Sequence, residues 1–482
     1  MNEVGGPATI RSLFGSALQL RPYQQEAIAA WRKAGDKGVL EMGTGTGKTL
    51  TSLAAVHQAW PKYKMVLVAC PTRILVDQWV AEIKRAFPTA PVFAMRGAAW
   101  EKAYPIDEVP VFVVGTLNGM CRPRFAGWVT RNVPKDASLL IIDEAHRAGS
   151  VMFSKILDLP VAGRLGLSAT PHRTWDERGN HRLSAGLGDT VFQFGIGDAI
   201  ANGHLSEYRY HIHPVPMSPA EREAYQELSL KLLMTLGAKG FDGRKQTLPA
   251  FMAALEERDP EGAQIVKNIM IQRTKFHKEA IGKESAILDV VRGNDLDKCL
   301  VYCNTIRHVG IIRRVLKDEG HVSTQYTSAE GTLERKLALE AFREGMVTFL
   351  VAIKCLDEGV DLPDCRSAVI VSSSATTREF IQRRGRLLRK AAGKTLADIH
   401  DLLVLPVDPE SFHGGLGDAD AGLIGKELRR AAIFADHAVN REEVRARIRD
   451  IADKLGISPD LALNVEFVGL ASGELEDDDD GE

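Results

Sequence analysis

The sequence predicts an α/β protein made of two tandem doubly wound parallel-sheet domains, with a helical insertion and a short helical C-terminal segment. Three observations carry this. Runs rich in Val, Ile and Leu alternate with helical patterns twice over: "MVLVACPT", "VPVFVVGT", "LLIIDEAH" and "GRLGLSAT", then "KCLVYCNT", "FLVAIKC", "SAVIVSSS" and "DLLVLP". Continuous apolar runs of this kind suit strands buried on both faces, as in parallel sheets covered by helices. Each run ends in small or polar residues, at the strand ends where open α/β sheets hold their ligands. A chain of 482 residues has room for several domains with large cores.

In chain order, residues 1–19 are an N-terminal extension and 20–205 the first sheet domain. Residues 206–285 are the insertion, in which "MSPAEREAYQELSLKLLMTL" puts Tyr225, Leu228, Leu232 and Leu236 on one helical face after a start at Ser218 or Pro219. The second sheet domain covers 286–405. Residues 406–482 hold a loop, "DPESFHGGLGDADAG", a mixed-charge helix from Lys426 to Leu455, and the tail "GELEDDDDGE". Such a tail reads as solvated disorder, or else as a nucleic-acid mimic occupying a basic groove.

With 61 basic against 63 acidic residues the formal charge is −2, so any basic surface must be a local groove. No apolar run approaches the roughly 20 residues that span a bilayer. The N-terminus lacks the basic start and apolar centre of a secretory signal. The six cysteines include no CxxC pair, and Cys299 and Cys303 fall on one face of a strand as core thiols rather than zinc ligands. A reducing, cytoplasmic setting is expected, with no membrane partner. "HIHP" at 211–214 sets two histidines at strand spacing, read as structural rather than metal-binding.

Two stretches carry chemistry. "LEMGTGTGKTLTSLAAV" places Gly43, Gly45 and Gly47 between a short apolar strand and a helix. Glycines let backbone N–H groups turn around a phosphate chain, and the helix start favours the same anion. Lys48 is placed for the β- and γ-phosphates and Thr49 for magnesium. The strict pattern wants glycine where this chain has Met42, yet Gly47, Lys48 and Thr49 are intact. "LLIIDEAH" ends a strand in Asp143 and Glu144, of which the first can hold magnesium through water and the second can orient and deprotonate the attacking water. The paired carboxylates favour ATP hydrolysis over simple phosphoryl transfer. A third stretch, "QRRGRLLR" at 382–389, is by composition a phosphate patch, an exposed charged face, or a group aimed at one phosphate.

Taken together these stretches resemble superfamily 2 helicases and translocases, over most of residues 20–405 and in the family's motif order. "LRPYQQEAI" resembles the adenine-reading motif, which implies Gln24 at the base with Arg21 near it. "MGTGTGKT" is similar to motif I, whose loop adds Thr44 and Thr46 to the ATP contacts. "PTRILVDQW" and "VVGTLNG" resemble the strand-contact motifs, which implies Thr72, Arg73 and Thr116 on nucleic acid. "DEAH" and "SAT" resemble motifs II and III, which implies a coupling role for His146, Ser168 and Thr170. "VYCNT" resembles motif IV, with Asn304 on nucleic acid; "VAIKCLDEGVDLP" resembles motif V, with Gly359 and Asp361 facing the ribose.

"QRRGRLLR" then resembles motif VI. The resemblance implies two RecA-like domains that close over ATP, with Arg386 and Arg389 as arginine fingers and Gln382 and Arg383 in support. Trp79 and Trp100 are either stacking platforms or core. The spelling of motifs I and VI departs from DEAH-box and DEAD-box RNA helicases and looks more like the XPB, type III restriction and phage branch-migration group of DNA translocases. The insertion is similar to that group's thumb-like element. The resemblance implies a magnesium-dependent DNA helicase or translocase acting on duplex or branched DNA in repair, recombination or phage-related processes. Two alternatives stand beside it. One is an RNA-dependent ATPase. The other is an ATP-controlled recognition subunit of a defence or repair complex, with the C-terminal segment docking a protein partner.

Overall fold

The computed structural model describes residues 20–173, 176–243, 246, 248–353, 365–372, 387–391 and 393–458. The chain divides into two compact units, the first ending at His204 and the second beginning at Leu205. No helix among the described residues is long and apolar enough to cross a membrane.

The first unit holds seven described strands: β1 (Lys37–Met42), β2 (Met65–Cys70), β3 (Val92–Ala94), β4 (Val111–Thr116), β5 (Ser138–Asp143), β6 (Gly163–Ser168) and β7 (Thr190–Phe194). They lie in the order β3-β4-β2-β5-β6-β1-β7, every pair parallel. Central β2 and β5 are buried along their whole length. Branched apolar side chains on both faces of such strands leave no polar stripe, which is why they read as unbroken runs. Around them pack Leu67, Val113, Ile142, Phe125, Trp100 and Trp128. Trp100 lies against Trp128 with ring centres 5.2 Å apart. Both Trp100 and Trp79 are thus core residues, not exposed platforms.

The second unit carries β8 (Glu207–Pro216), β9 (Cys299–Tyr302), β10 (Ser323–Tyr326), β11 (Phe349–Ala352), β12 (Ser367–Ile370) and β13 (Leu396–Leu405). Their order is β10-β11-β9-β12-β13-β8, again parallel. Cys299 and Cys303 lie in its core beside Val301.

The second sheet begins before the expected end of the insertion, so the boundary at 206 does not hold. Residues 207–216 belong to the second sheet, not to the insertion, and β8 runs in register with β13 from Glu207↔Leu396 to Pro216↔Leu405. Tyr208, Tyr210 and Val215 are buried. Pro214 and Pro216 lack an N–H, which an edge strand tolerates. "HIHP" lies on this strand, where His211 contacts Asp398 at 2.9 Å and the rings of His211 and His213 stack on His400.

The C-terminal helix also differs from the expected one. The chain forms two helices, Asp418–Ala435 and Arg441–Lys454, instead of one from Lys426 to Leu455. The break has a physical cause. Val439 donates its N–H to the Tyr208 carbonyl, and the Asn440 amide both accepts from the Tyr210 N–H and donates to its carbonyl. The interruption thereby caps the open edge of β8, whose groups would otherwise be unpaired.

The insertion proper comprises helices Pro219–Ala238, Leu248–Arg258 and Pro260–Lys278. Ser218 caps the first through a reciprocal pairing with Glu221. Leu232, Leu236, Phe251, Leu255, Val266 and Ile269 form its own small core. Its base is fixed by Lys283, whose buried ammonium donates to the carbonyls of His277 and Lys278 and to the Ser372 hydroxyl, all at 2.9–3.0 Å.

Burial pushes Lys283 down to about 7 from 10.5, against the pull of Glu427. Between those values the unfolded chain binds the proton that the native chain has lost, so stability rises with pH across that window. In Lys283→Met the rise should disappear, so the wild-type-minus-variant difference in stability should climb with pH by up to about 1.4 kcal/mol per pH unit. Urea unfolding midpoints from pH 7 to 10 measure it; parallel curves for the two proteins would contradict the assignment.

Candidate nucleotide site

Four adjacent strands of the first sheet deliver the site residues to one edge. β2 runs into Thr72, β5 ends at Asp143, β6 ends at Ser168 and β1 runs into Gly43. Parallel strands place all their carboxyl ends on the same side, so residues far apart in sequence meet there.

The loop from Gly43 to Gly47 joins β1 to the helix Lys48–Ala59. Gly45 and Gly47 hold φ of 86° and 83°, a left-handed backbone that favours glycine. A side chain at Gly47 would also meet the Gln24 amide nitrogen at 2.8 Å. The loop is braced from outside: Thr46 Oγ1 donates to the Gly43 carbonyl at 2.7 Å, and Tyr23 Oη donates to the Thr46 carbonyl at 2.6 Å. Tyr23 stacks on Phe194 with ring centres 3.9 Å apart, and the Phe194 carbonyl accepts from the Gly43 N–H.

Lys48 Nζ folds back to the Met42 carbonyl at 3.2 Å, and Thr49 is half-buried beside it. The Thr44 hydroxyl is buried without a hydrogen-bond partner among the described residues. A backbone cradle with a left-handed turn, an ammonium, a helix start and an unsatisfied hydroxyl fits a polyphosphate.

The carboxylate pair follows β5. Both oxygens of Asp143 accept hydrogen bonds: Oδ2 from Trp79 Nε1 at 2.9 Å and Oδ1 from the Glu144 N–H at 3.0 Å. Burial, reinforced by Glu144, pushes Asp143 up to about 6, against the Trp79 hydrogen bond and the Lys48 charge. Glu144 has φ 48°, ψ 54°, an uncommon backbone for a residue with a side chain. That left-handed step turns the chain straight into the short 3-10 helix Ala145–Gly149. The Asp143 carboxylate and the Thr49 hydroxyl beside Lys48 are hard oxygen donors of the kind magnesium takes.

Motifs II and III are physically joined. His146 Nδ1 lies 3.1 Å from Ser168 Oγ and 3.5 Å from Glu144 Oε2, and Ser168 Oγ accepts from the Thr170 N–H. Arg173 completes the joint, donating from Nη1 to the His146 carbonyl at 3.0 Å and pairing through Nε with Asp176. Sequence reasoning missed Arg173; its signal was a charged residue three positions past "SAT".

The remaining expected residues divide as follows. Gln24 is buried, its oxygen accepting the Arg21 N–H, and Arg21 itself is exposed. Thr72 and Thr116 each cap a helix, accepting from the N–H groups of Leu75 and Gly119. Arg73 is exposed one residue on. In the second unit, both polar atoms of the Asn304 amide are buried without a partner among the described residues. Arg389 pairs through its backbone with Leu205. Gly359, Asp361, Gln382, Arg383 and Arg386 lie outside the described residues.

Residues 17–173 match the family model of the type III restriction enzyme res subunit, and residues 282–391 match that of the helicase conserved C-terminal domain. The chain belongs to superfamily 2 of the helicases and translocases. Within the superfamily it stands with the XPB and restriction group. It is 27% identical over 390 residues to the DNA 3'-5' translocase XPB2 of Sulfurisphaera tokodaii, a match covering 78% of this chain and 80% of that protein.

The DNA 3'-5' helicase XPB of Kineococcus radiotolerans is 27% identical over 388 residues, 80% of this chain but only 60% of its own length. Among solved structures, the ATP-dependent type ISP restriction-modification enzyme LlaBIII bound to DNA gives a TM-score of 0.58 at 17% identity. That match covers 88% of this chain and 31% of that one, a likeness of fold. As a superfamily 2 protein the chain is an ATP-dependent enzyme of the helicase class, and the two sheets are the superfamily's pair of RecA-like domains.

Proposed function

We propose that the chain is a DNA translocase or helicase that spends ATP on moving along, or remodelling, duplex or branched DNA during repair, recombination or phage-related processes. The observation that carries this reading is the joint from the carboxylate pair to the "SAT" turn, Glu144–His146–Ser168–Thr170 with Arg173 behind it. A nucleotide-binding protein without a motor role has no need to tie the water-activating carboxylate to a neighbouring strand end.

The roles follow from chemistry and position. Gly43, Thr44, Gly45, Thr46 and Gly47 wrap the phosphates of ATP, and Lys48 turns from the Met42 carbonyl to the β- and γ-phosphates. Magnesium, when bound, supplies charge neutralisation to the phosphate oxygens; Thr49 and Asp143 are the residues that hold it. Glu144 accepts the proton of the attacking water. Arg386 and Arg389 supply positive charge to the γ-phosphate with Gln382 and Arg383 in support, while Gly359 and Asp361 face the ribose and Gln24 and Arg21 the base.

Thr72, Arg73, Thr116 and Asn304 grip sugar-phosphate, which positions the chain without reading sequence. The insertion lies against the duplex. Loss of the γ-phosphate removes the contact that Arg386 makes, so affinity for the strand changes with each turnover.

Displacement of a labelled third strand from a DNA triplex tests the motor directly. ATP-dependent displacement by the purified chain is expected. Hydrolysis without displacement would favour a recognition subunit, and displacement or stimulation confined to RNA substrates would favour an RNA motor.

A further inference from the structure

Trp79 has no role in the scheme above, yet it makes the most pointed contact in the first unit. Its ring is buried at 1% exposure on the helix Arg73–Ala86, and its Nε1 donates to Asp143 Oδ2 at 2.9 Å. Three other buried indoles of the chain satisfy their N–H on backbone carbonyls: Trp31 on Arg164, Trp100 on Gly97 and Trp128 on Glu101. A backbone carbonyl is enough to satisfy a buried N–H. Trp79 instead uses its donor on an ionisable carboxylate of the nucleotide site, and the Glu144 N–H holds the opposite oxygen. The carboxylate is therefore pinned from two sides, one of them a side chain 64 positions away in sequence.

The same helix reaches the other end of the reaction. Thr72 caps it, and Arg73 and Ile74 stand exposed on its first turn. Val76, Trp79, Ile83 and Ala86 form its buried face. From Arg73 to Trp79 is about 9 Å along one rigid helix, so a shift of the first turn moves the indole with it.

We propose that Trp79 is a positioning residue that couples nucleic-acid contact at Thr72 and Arg73 to the placement of the Asp143 carboxylate. The inference rests on the proposed function of that edge as nucleotide and strand site. It makes the magnesium requirement for nucleotide binding depend on the helix that grips the strand.

The test uses the full chain carrying Trp79→Phe, which keeps an aromatic ring and drops the N–H. Binding of a fluorescent non-hydrolysable ATP analogue is titrated with Mg²⁺, and turnover is compared with and without duplex DNA. The expected result is a half-saturating Mg²⁺ concentration raised about five-fold, the loss of one charge-assisted hydrogen bond, together with a reduced ratio of DNA-stimulated to basal turnover. Trp79→His, a smaller ring that keeps an N–H, should recover part of both.

Val76→Ala, on the same buried face but remote from the carboxylate in role, should lower Tm and leave the Mg²⁺ dependence in place. A wild-type Mg²⁺ dependence in Trp79→Phe, or an equal shift in Val76→Ala, would reduce Trp79 to a core filler. If Trp79→Phe does not fold, the same comparison between Trp79→His and Val76→Ala decides. Absence of DNA stimulation in the unaltered chain would instead strike the underlying functional reading.

Discussion

Glu144→Gln should bind ATP with the affinity of the unaltered chain and hydrolyse it about 10²- to 10⁴-fold more slowly. The substitution keeps shape and hydrogen-bonding length and removes only the capacity to take a proton. Asp143 is not available for that task, since both Trp79 and the Glu144 N–H hold its carboxylate in place, whereas Glu144 sits on a left-handed step at φ 48°. Its Oε2 is buried without a hydrogen bond among the described residues, 3.5 Å from His146 Nδ1. An oxygen so placed is free to accept from water. Equilibrium binding of ATP and single-turnover hydrolysis, measured on the same preparation, separate the two properties. Hydrolysis within a few-fold of wild type would move the base elsewhere.

The second large effect is expected at Arg386. If motif VI supplies the finger, Arg386→Ala retains ATP binding and loses about 10³- to 10⁵-fold in hydrolysis. A solvated arginine face would lose almost nothing, because its charge is screened and touches no reacting atom. The difference between these outcomes is large enough for a simple phosphate-release assay. Near-wild-type turnover would return the arginines of "QRRGRLLR" to a role in nucleic-acid contact, and Arg386→Ala would then weaken DNA binding at low salt.

How much of this was legible in the sequence follows from how strands are covered. The eight apolar runs correspond to β2, β4, β5, β6, β9, β11, β12 and β13, each covered by neighbours in its sheet. The strands that escaped were β3, β7, β8 and β10, and these are the four sheet edges. An edge strand needs fewer apolar residues, so "TVFQF" and "STQY" carry no continuous run. β8 was visible as strand spacing in "HIHP" but was assigned to the wrong element, because its partner residues on β13 lie 189 positions further along the chain, as Asp398 does from Arg209.

The site divides along the same line. Gly43, Lys48, Asp143 and Ser168 are readable because each sits beside its own strand end. The braces are not: Tyr23 on Thr46, Trp79 on Asp143 and Arg173 on His146 join segments 23, 64 and 27 residues apart. Short motifs record which groups do chemistry, whereas the partners that hold those groups are distributed by the fold.

The most direct measurement is steady-state ATP turnover by the purified full chain, with and without duplex DNA at one fixed ionic strength. Turnover that DNA accelerates is expected, slowed about 10²- to 10⁴-fold by Glu144→Gln, with an acceleration that fades as salt weakens the phosphate contacts. ATP hydrolysis indifferent to every nucleic acid offered, or no hydrolysis at all, would contradict that expectation.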